Sequence, residues 1–163
     1  MNYQDQVVVL TGASGGIGSA MAKKFTDLGA KVALLDITVD RVQALADKLG
    51  LGSDRAFCAA VDVSNEESVT ATVDAIVKHF GRIDVLVNAA GIPGPSARVE
   101  DYSFSDAKKV LSVNLFGTFL MMHTVLPVMQ AQKHGAILNF GSVSGVVGYP
   151  FESAYGASKA AII

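Results

Sequence analysis

Short runs of apolar residues alternate along the chain with longer stretches in which apolar residues recur every three or four positions. The short runs are rich in Val, Ile and Leu, as expected of strands buried on both faces of a parallel sheet. They predict five strands, at residues 7–10, 31–35, 56–61, 83–87 and 136–140. The stretches with helical periodicity predict helices between them, at about 16–28, 39–49, 64–80 and 104–133, and a last helix from about 153.

Local signals mark several helix ends. Gly29 and Gly50 follow the first two helices, where glycine suits a C-terminal cap. Ser64, with Glu67 three residues later, predicts a capping box at the start of the third helix. Asn114 is a modestly poor helix former within the long helical stretch. It either bends that helix and exposes a carbonyl group to water or lies on the surface as an ordinary polar residue.

The order β-α-β-α-β-α-β-α-β-α predicts an α/β fold. Consecutive parallel strands need crossover helices, and right-handed crossovers produce a doubly wound, Rossmann-like sheet. No linker or internal repeat divides the sequence, so residues 1–163 are expected to form a single domain with five strands.

Composition narrows the class of protein. Half of the 163 residues are apolar, 17% are charged and the formal net charge is −2 with scattered basic residues, which argues against a disordered chain and against nucleic-acid binding. The N-terminus lacks a signal-peptide pattern, and no run approaches the roughly 18 consecutive apolar residues of a membrane span. A cytoplasmic protein without a membrane partner is expected. The single Cys58 is interpreted as a small core residue, and the three histidines are not spaced for a metal site.

A glycine-rich turn separates the first strand from the first helix. Glycines there allow a tight turn and a close approach to a pyrophosphate, while the helix N-terminus offers free N–H groups. The spacing departs from the usual G-x-G-x-x-G, and a purely structural turn is the alternative. The residues expected to bind cofactor phosphates are Gly12, Ser14, Gly16, Ile17 and Gly18.

Asp36 ends the second strand, 18 residues after Gly18. A carboxylate at that point accepts hydrogen bonds from ribose hydroxyls and repels a 2′-phosphate, so it favours NAD over NADP. A solvated strand-end aspartate is the alternative. Further cofactor contacts are expected where the third and fourth strands end, although Asp62 could instead be a turn residue; these positions are Asp62, Val63, Asn88, Ala89 and Gly91.

Tyr155 and Lys159 lie four positions apart on the last predicted helix, so they share one face. A neighbouring cation favours the ionised form of a phenol, which could then exchange a proton with an alcohol or ketone. Ser142 follows the fifth strand, at the sheet edge where ligands bind. Each of the three could also be an ordinary surface or loop residue when taken alone.

Together these segments resemble the short-chain dehydrogenase/reductase family over the whole chain. The resemblance implies that Tyr155 is the acid/base and that Ser142 positions the substrate oxygen. It implies that Lys159 binds the nicotinamide ribose and assists Tyr155, and that Asn114 supports a water-mediated proton relay. The expected activity is NAD-dependent hydride transfer between a cofactor and a small-molecule secondary alcohol or ketone, by a homodimer or homotetramer.

Two other functions stay open: a 3-oxoacyl-[acyl-carrier-protein] reductase, and a non-catalytic NAD-binding fragment. The resemblance implies further segments after Ile163, namely the rest of the last helix, a sixth strand, a substrate-covering segment and a seventh strand. Without them the fifth strand would be an exposed edge and the catalytic helix would fray. The 163-residue chain alone is therefore expected to be poorly stable and weakly active or inactive.

Overall fold

The computed structural model describes residues 2–163 and has a five-stranded parallel sheet at its centre. The strand order across the sheet is β3-β2-β1-β4-β5, so the chain winds outwards from β1 first in one direction and then in the other. This arrangement confirms the predicted doubly wound, Rossmann-like fold. The strands are β1 (Val7–Thr11), β2 (Lys31–Asp36), β3 (Ala56–Ala60), β4 (Val85–Asn88) and β5 (Ala136–Asn139).

Helices cover both faces of the sheet, because alternate residues of each central strand point to opposite sides. Val8 and Leu10 of β1 pack in the cluster that includes Ala22 and Val42 from the first two helices. Val7 and Val9 pack in the opposite cluster, which contains side chains of the third and fifth helices. The helices are α1 (Gly16–Asp27), α2 (Val39–Lys48), α3 (Glu66–Phe80), α4 (Phe104–Leu111), α5 (Gly117–Gln132) and α6 (Ser153–Ala160).

The start of α3 differs from its prediction. Asn65, not Ser64, is the N-cap, and its side chain accepts a hydrogen bond from Ser68 N. Ser64 instead donates through its backbone N–H and its hydroxyl to Asp62 Oδ1, at 2.9 and 2.6 Å. The predicted capping box was therefore wrong, because the Asp62 carboxylate engages Ser64 in a turn and the helix begins one residue later.

The predicted bend near Asn114 is a turn of π-helix, Ser112–Phe116, which joins α4 to α5. The helical run from Phe104 to Gln132 is 29 residues long and is the one helix in residues 2–163 that is long and apolar enough to cross a membrane. That observation is weak, since Met121, Val125 and Met129 of the same run are buried against the sheet.

The carboxyl ends of all five strands meet at one edge of the sheet, as they must in a parallel sheet. Thr11 is in register with Leu35 and with Asn88, and Asn88 is in register with Asn139. The ends of these strands, the loops that follow them and the helices that begin there carry the residues for which a binding or catalytic role is predicted. The topology thus collects them along one side of the molecule.

Candidate active site

A groove runs along this edge and consists of two adjoining cavities. The larger, of about 590 Å³, extends between the glycine-rich turn and the ends of β2, β3 and β4. The smaller, of about 230 Å³, lies between β4 and α6 and is lined in part by Ile17, Tyr155 and Lys159. Ala89, Gly91 and Ile92 line both, so the groove is continuous from the Asp36 end to the Tyr155 end.

The glycine-rich turn brings the backbone close to the neighbouring strand ends. Gly12 has a φ of +63°, and a Cβ there would lie 2.8 Å from the carbonyl oxygen of Ala89. A Cβ on Gly18 would collide with the carbonyl oxygen of Gly12, so the helix packs directly on the turn. Gly15 is the N-cap of α1 and has no side chain that could accept a hydrogen bond from the helix N-terminus. The N–H groups of the first helical turn are therefore available to a ligand.

The carboxylate of Asp36 is tied to this turn. Its Oδ2 accepts hydrogen bonds from the backbone N–H and the hydroxyl of Ser14, at 3.0 and 2.7 Å, and its Oδ1 accepts one from Ile37 N at 2.8 Å. The side chain is half-buried and lines the larger cavity. These bonds fix the carboxylate at the end of the groove where the sequence predicts that the cofactor ribose binds.

Asp62 and Val63 line the same cavity. Asp62 serves at the same time as the turn residue that binds Ser64. The position of Asp62 is therefore compatible both with a cofactor contact and with a role as a turn residue. Two cations that the sequence did not single out, Arg41 of α2 and Lys109 of α4, also line this cavity. No periodicity or motif marks them, because they reach the groove only through helix packing.

Lys159 and Tyr155 share a face of α6, as their spacing predicts. Lys159 is 8% exposed, and its Nζ lies 5.8 Å from the centre of the Tyr155 ring. The ammonium group donates a hydrogen bond to the carbonyl oxygen of Phe140 at 2.7 Å. Burial lowers the pKa of Lys159 below its ordinary value. The packing of α6 thus places a buried cation beside the Tyr155 ring.

Ser142 lies at the end of β5, beside α6, and begins a short turn at Val143–Gly145. Its Oγ accepts a hydrogen bond from the backbone N–H of Ser144 at 3.2 Å. A hydroxyl has one donor and two acceptor sites, so the Ser142 proton remains free to donate to a substrate oxygen. Ser142 does not line either cavity of the groove but adjoins Gly141, which does.

The Asn114 side chain is almost completely buried and fastens the loop after β4. Its Oδ1 accepts from Ile92 N at 2.8 Å, and its Nδ2 donates to Ile92 O and to Ser158 Oγ at 2.9 and 3.0 Å. Its backbone carbonyl accepts the Thr118 hydroxyl at 2.8 Å. The surface alternative for Asn114 is excluded by its 1% exposure.

Three of the predicted cofactor-binding residues, Gly16, Gly18 and Asn88, do not line either cavity of the groove. Gly16 and Gly18 shape the start of α1. Asn88 is 4% exposed, and its Nδ2 donates to Asn139 Oδ1 at 2.9 Å, which links β4 to β5. The groove is lined instead by the next residues, Ala89 to Ile92.

The residues present fit a nicotinamide dinucleotide. The glycine-rich turn and the Asp36 carboxylate line the larger cavity, and the uncapped N-terminus of α1 adjoins it, which suits a pyrophosphate and a ribose. Tyr155 and Lys159 close the other end of the continuous groove. The residues that would hold the cofactor are Gly12, Ser14, Ile17, Asp36, Asp62, Val63, Ala89, Gly91 and Lys159.

Comparison with known proteins agrees with this geometry. A family model for short chain dehydrogenases matches residues 6–163. The D-threitol dehydrogenase of Mycolicibacterium smegmatis is 40% identical over 160 residues, which cover 97% of this chain and 60% of that protein. The chain thus spans about three fifths of the length of the curated relatives it matches.

Solved structures have the same fold. The NAD+-bound structure of xylitol dehydrogenase superimposes with a TM-score of 0.92 at 38% identity, covering 99% of this chain and 62% of that one. A metagenomic short-chain oxidoreductase in complex with NADP has a TM-score of 0.91 at 33% identity, covering 98% of this chain and 72% of that one. The two neighbours carry different nicotinamide cofactors, so the likeness supports a dinucleotide without choosing between them.

Proposed function

The chain belongs to the short-chain dehydrogenase family, and on that premise we propose that the protein is an NAD-dependent oxidoreductase acting on a secondary alcohol or its ketone. The observation that carries the proposal is the buried Lys159 ammonium beside the Tyr155 ring, at one end of a groove that begins at the glycine-rich turn. A solvated helix face would leave both side chains exposed. Here the cation is desolvated next to the phenol instead.

The chemistry of the proposed reaction divides between cofactor and protein. The nicotinamide ring, when bound, supplies the position that accepts or returns a hydride with its two electrons. Tyr155 takes the hydroxyl proton when an alcohol is oxidised and returns one to the oxygen when a ketone is reduced. Ser142 donates its free O–H to the reacting oxygen, and Lys159 stabilises the phenolate. Asn114 keeps the Ile92 loop closed beside them.

Polyols are the substrates to test first, because the relatives compared above are named for D-threitol and xylitol. We expect NAD-linked oxidation of at least one secondary alcohol in a panel of polyols, followed by the absorbance of the reduced nicotinamide. Tyr155→Phe is expected to lower kcat by about 10²- to 10⁴-fold, the usual contribution of a general acid/base. Tyr3→Phe, at a tyrosine that packs on Phe25 away from the groove, is the control. Turnover that survives Tyr155→Phe would exclude the proposed role.

The preference for NAD is attributed to Asp36. Its carboxylate would face a 2′-phosphate with like charge, while Arg41 and Lys109 line the same cavity and could attract one. Replacing Asp36 by Ala is therefore expected to reduce the ratio of kcat/KM for NAD over NADP by about tenfold or more. Equal use of NAD and NADP by the unmodified protein would remove the role given to Asp36.

Self-association is proposed for the whole protein. Phe116, Phe119 and Leu126 lie on one face of the α5 region and are 61%, 61% and 39% exposed. Such a row of large apolar side chains on a helix is typical of an interface. Phe119→Asp is expected to lower the mass measured by light scattering, whereas Val99→Asp, at an exposed valine outside that face, is expected to leave it unchanged.

A further inference from the structure

The turn that carries Ser142 is joined to the start of α6 by a contact outside the groove. Ser144 Oγ donates a hydrogen bond to Glu152 Oε2 at 2.7 Å. The backbone carbonyl of Glu152 accepts Gly156 N, also at 2.7 Å, in the first turn of the helix that carries Tyr155. Glu152 therefore contacts the serine turn with its side chain and the tyrosine helix with its backbone.

The connection continues to the Ser142 hydroxyl. Ser144, whose hydroxyl binds Glu152, also donates its backbone N–H to Ser142 Oγ, at 3.2 Å. That bond occupies one acceptor site of Ser142 and directs its proton elsewhere. We propose that Glu152 is a positioning residue for Ser142 and acts through Ser144; this rests on the proposed function, in which Ser142 donates to the reacting oxygen.

Close backbone packing explains why a single side-chain bond can matter here. A Cβ on Gly145 would lie 2.6 Å from the carbonyl carbon of Lys159, and one on Gly156 would lie 3.0 Å from the carbonyl oxygen of Ser144. The turn and the helix thus meet backbone to backbone. Small movements of the turn are therefore transmitted directly to the relative position of Ser142 and Tyr155.

Beyond the turn bonds of residues 145–147 and the bond from Ala97 N to Phe151 O at 3.3 Å, the segment between Ser144 and Glu152 is largely exposed. Val146, Val147 and Phe151 are 74%, 55% and 51% exposed, and Phe151 has a φ of +69°. The Ser144–Glu152 bond closes the base of this exposed loop. Without it, we expect the turn to move more relative to the start of α6 and the Ser142 hydroxyl to lose its fixed orientation.

The test is a double-mutant cycle in the enzyme, with Ser144→Ala, Glu152→Ala and the double variant. We expect each single variant to lower kcat by about three- to tenfold, the usual net contribution of one solvent-exposed hydrogen bond. The double variant should be no slower than either single one, because both remove the same bond. KM for NAD should stay unchanged, since the contacts proposed for NAD lie in the groove and the Ser144–Glu152 contact lies outside it.

Conservative variants and a control separate positioning from folding. Glu152→Gln and Ser144→Thr keep an acceptor and a hydroxyl, respectively, and should restore most of kcat. Glu67→Ala, at an exposed glutamate of α3, should leave kcat unchanged. Losses that multiply in the double variant, an unchanged kcat in both single variants, or a parallel rise in KM for NAD would each overturn the proposal.

Hydrogen exchange provides a readout that does not depend on turnover. Gly145, Val146 and Val147 donate their amide protons within the turn, at 3.0, 2.9 and 2.8 Å. We expect these amides to exchange faster, and to the same extent, in Ser144→Ala and Glu152→Ala. If the unmodified protein shows no NAD-linked turnover, the proposed function fails. If these amides exchange at an unchanged rate in both variants, the positioning role of the Ser144–Glu152 bond is overturned.

Discussion

The buried amide of Asn114 offers a sharp test of the site's construction. Replacing Asn114 by Asp keeps the shape of the side chain and the acceptor that faces Ile92 N, but it changes the donor Nδ2 into an oxygen. That nitrogen donates to Ile92 O and Ser158 Oγ in the structure. The Ser158 hydroxyl already donates to Tyr155 O at 2.7 Å, so it can turn to the new carboxylate only by giving up that bond.

The magnitude follows from these contacts. One hydrogen bond to Ile92 is lost, at about 1 kcal/mol, and a carboxylate oxygen is forced against a carbonyl oxygen in a position that is 1% exposed. Desolvation of an imperfectly paired charge adds about 1–3 kcal/mol. We therefore expect Asn114→Asp to reduce the free energy of unfolding by about 2–4 kcal/mol near neutral pH, measured by urea denaturation.

The pH dependence of this loss is part of the prediction. Burial raises the pKa of the introduced carboxyl above its ordinary value of about 3.9. The folded variant then binds the proton more tightly than the unfolded chain does. The difference from the unmodified protein should accordingly be smallest below the unfolded pKa and grow as pH rises through the folded pKa.

Asn65→Asp is the matched control, because Asn65 uses its side chain only to accept a hydrogen bond from Ser68 N at the start of α3. Aspartate is as good an N-cap as asparagine, so this variant should remain within about 0.5 kcal/mol of the unmodified protein. If Asn114→Asp were as stable as Asn65→Asp, or if its loss did not depend on pH, the assignment of the Asn114 contacts would be refuted.

Three further predictions concern other parts of the fold. Gly12→Ala is expected to lower the free energy of unfolding by about 1–3 kcal/mol, because the φ of +63° and the carbonyl oxygen of Ala89 leave no room for a Cβ. The same variant should bind NAD more weakly in calorimetry, and an unchanged NAD affinity would contradict this prediction. The hydrogen bond to Asp84, at 2.5 Å, raises the pKa of His134, so its stabilising contribution is complete below about pH 6.5 and is lost as pH rises through the folded value. The difference in unfolding free energy between His134→Ala and the unmodified protein should therefore shrink as pH rises above about 6.5, and a constant difference would argue against the pair. Burial also raises the pKa of Cys58, and slow reaction with a thiol reagent at neutral pH is expected, whereas rapid labelling would show an accessible thiolate.

The order of strands and helices could be predicted from the sequence because it depends on short-range patterns. Continuous apolar runs and helical periodicity repeat within a few residues, and they placed all five strands within one or two residues of their observed ends. The glycine-rich turn before α1 could be recognised for the same reason, since Gly12 and Gly18 are constrained by backbone within the same strand–turn–helix unit as well as by the adjacent strand.

Contacts between distant segments were decided by the tertiary structure. The spacing of Tyr155 and Lys159 predicts a common face, but only the packing of α6 beside Phe140 buries the ammonium group. Arg41 and Lys109 reach the groove from helices whose local sequence marks them as ordinary surface cations.

Competition between local hydrogen bonds also escaped the sequence pattern. Ser64 and Asn65 are both good N-caps, and the Asp62 carboxylate, by engaging Ser64, left Asn65 as the cap. Asn114 shows the same limit, because a helix-bending asparagine is predictable whereas its bonds to Ile92 and Ser158 are not. Short-range periodicity therefore determined which elements form and in what order, while the desolvation and pairing of individual polar groups depended on partners distant in the chain.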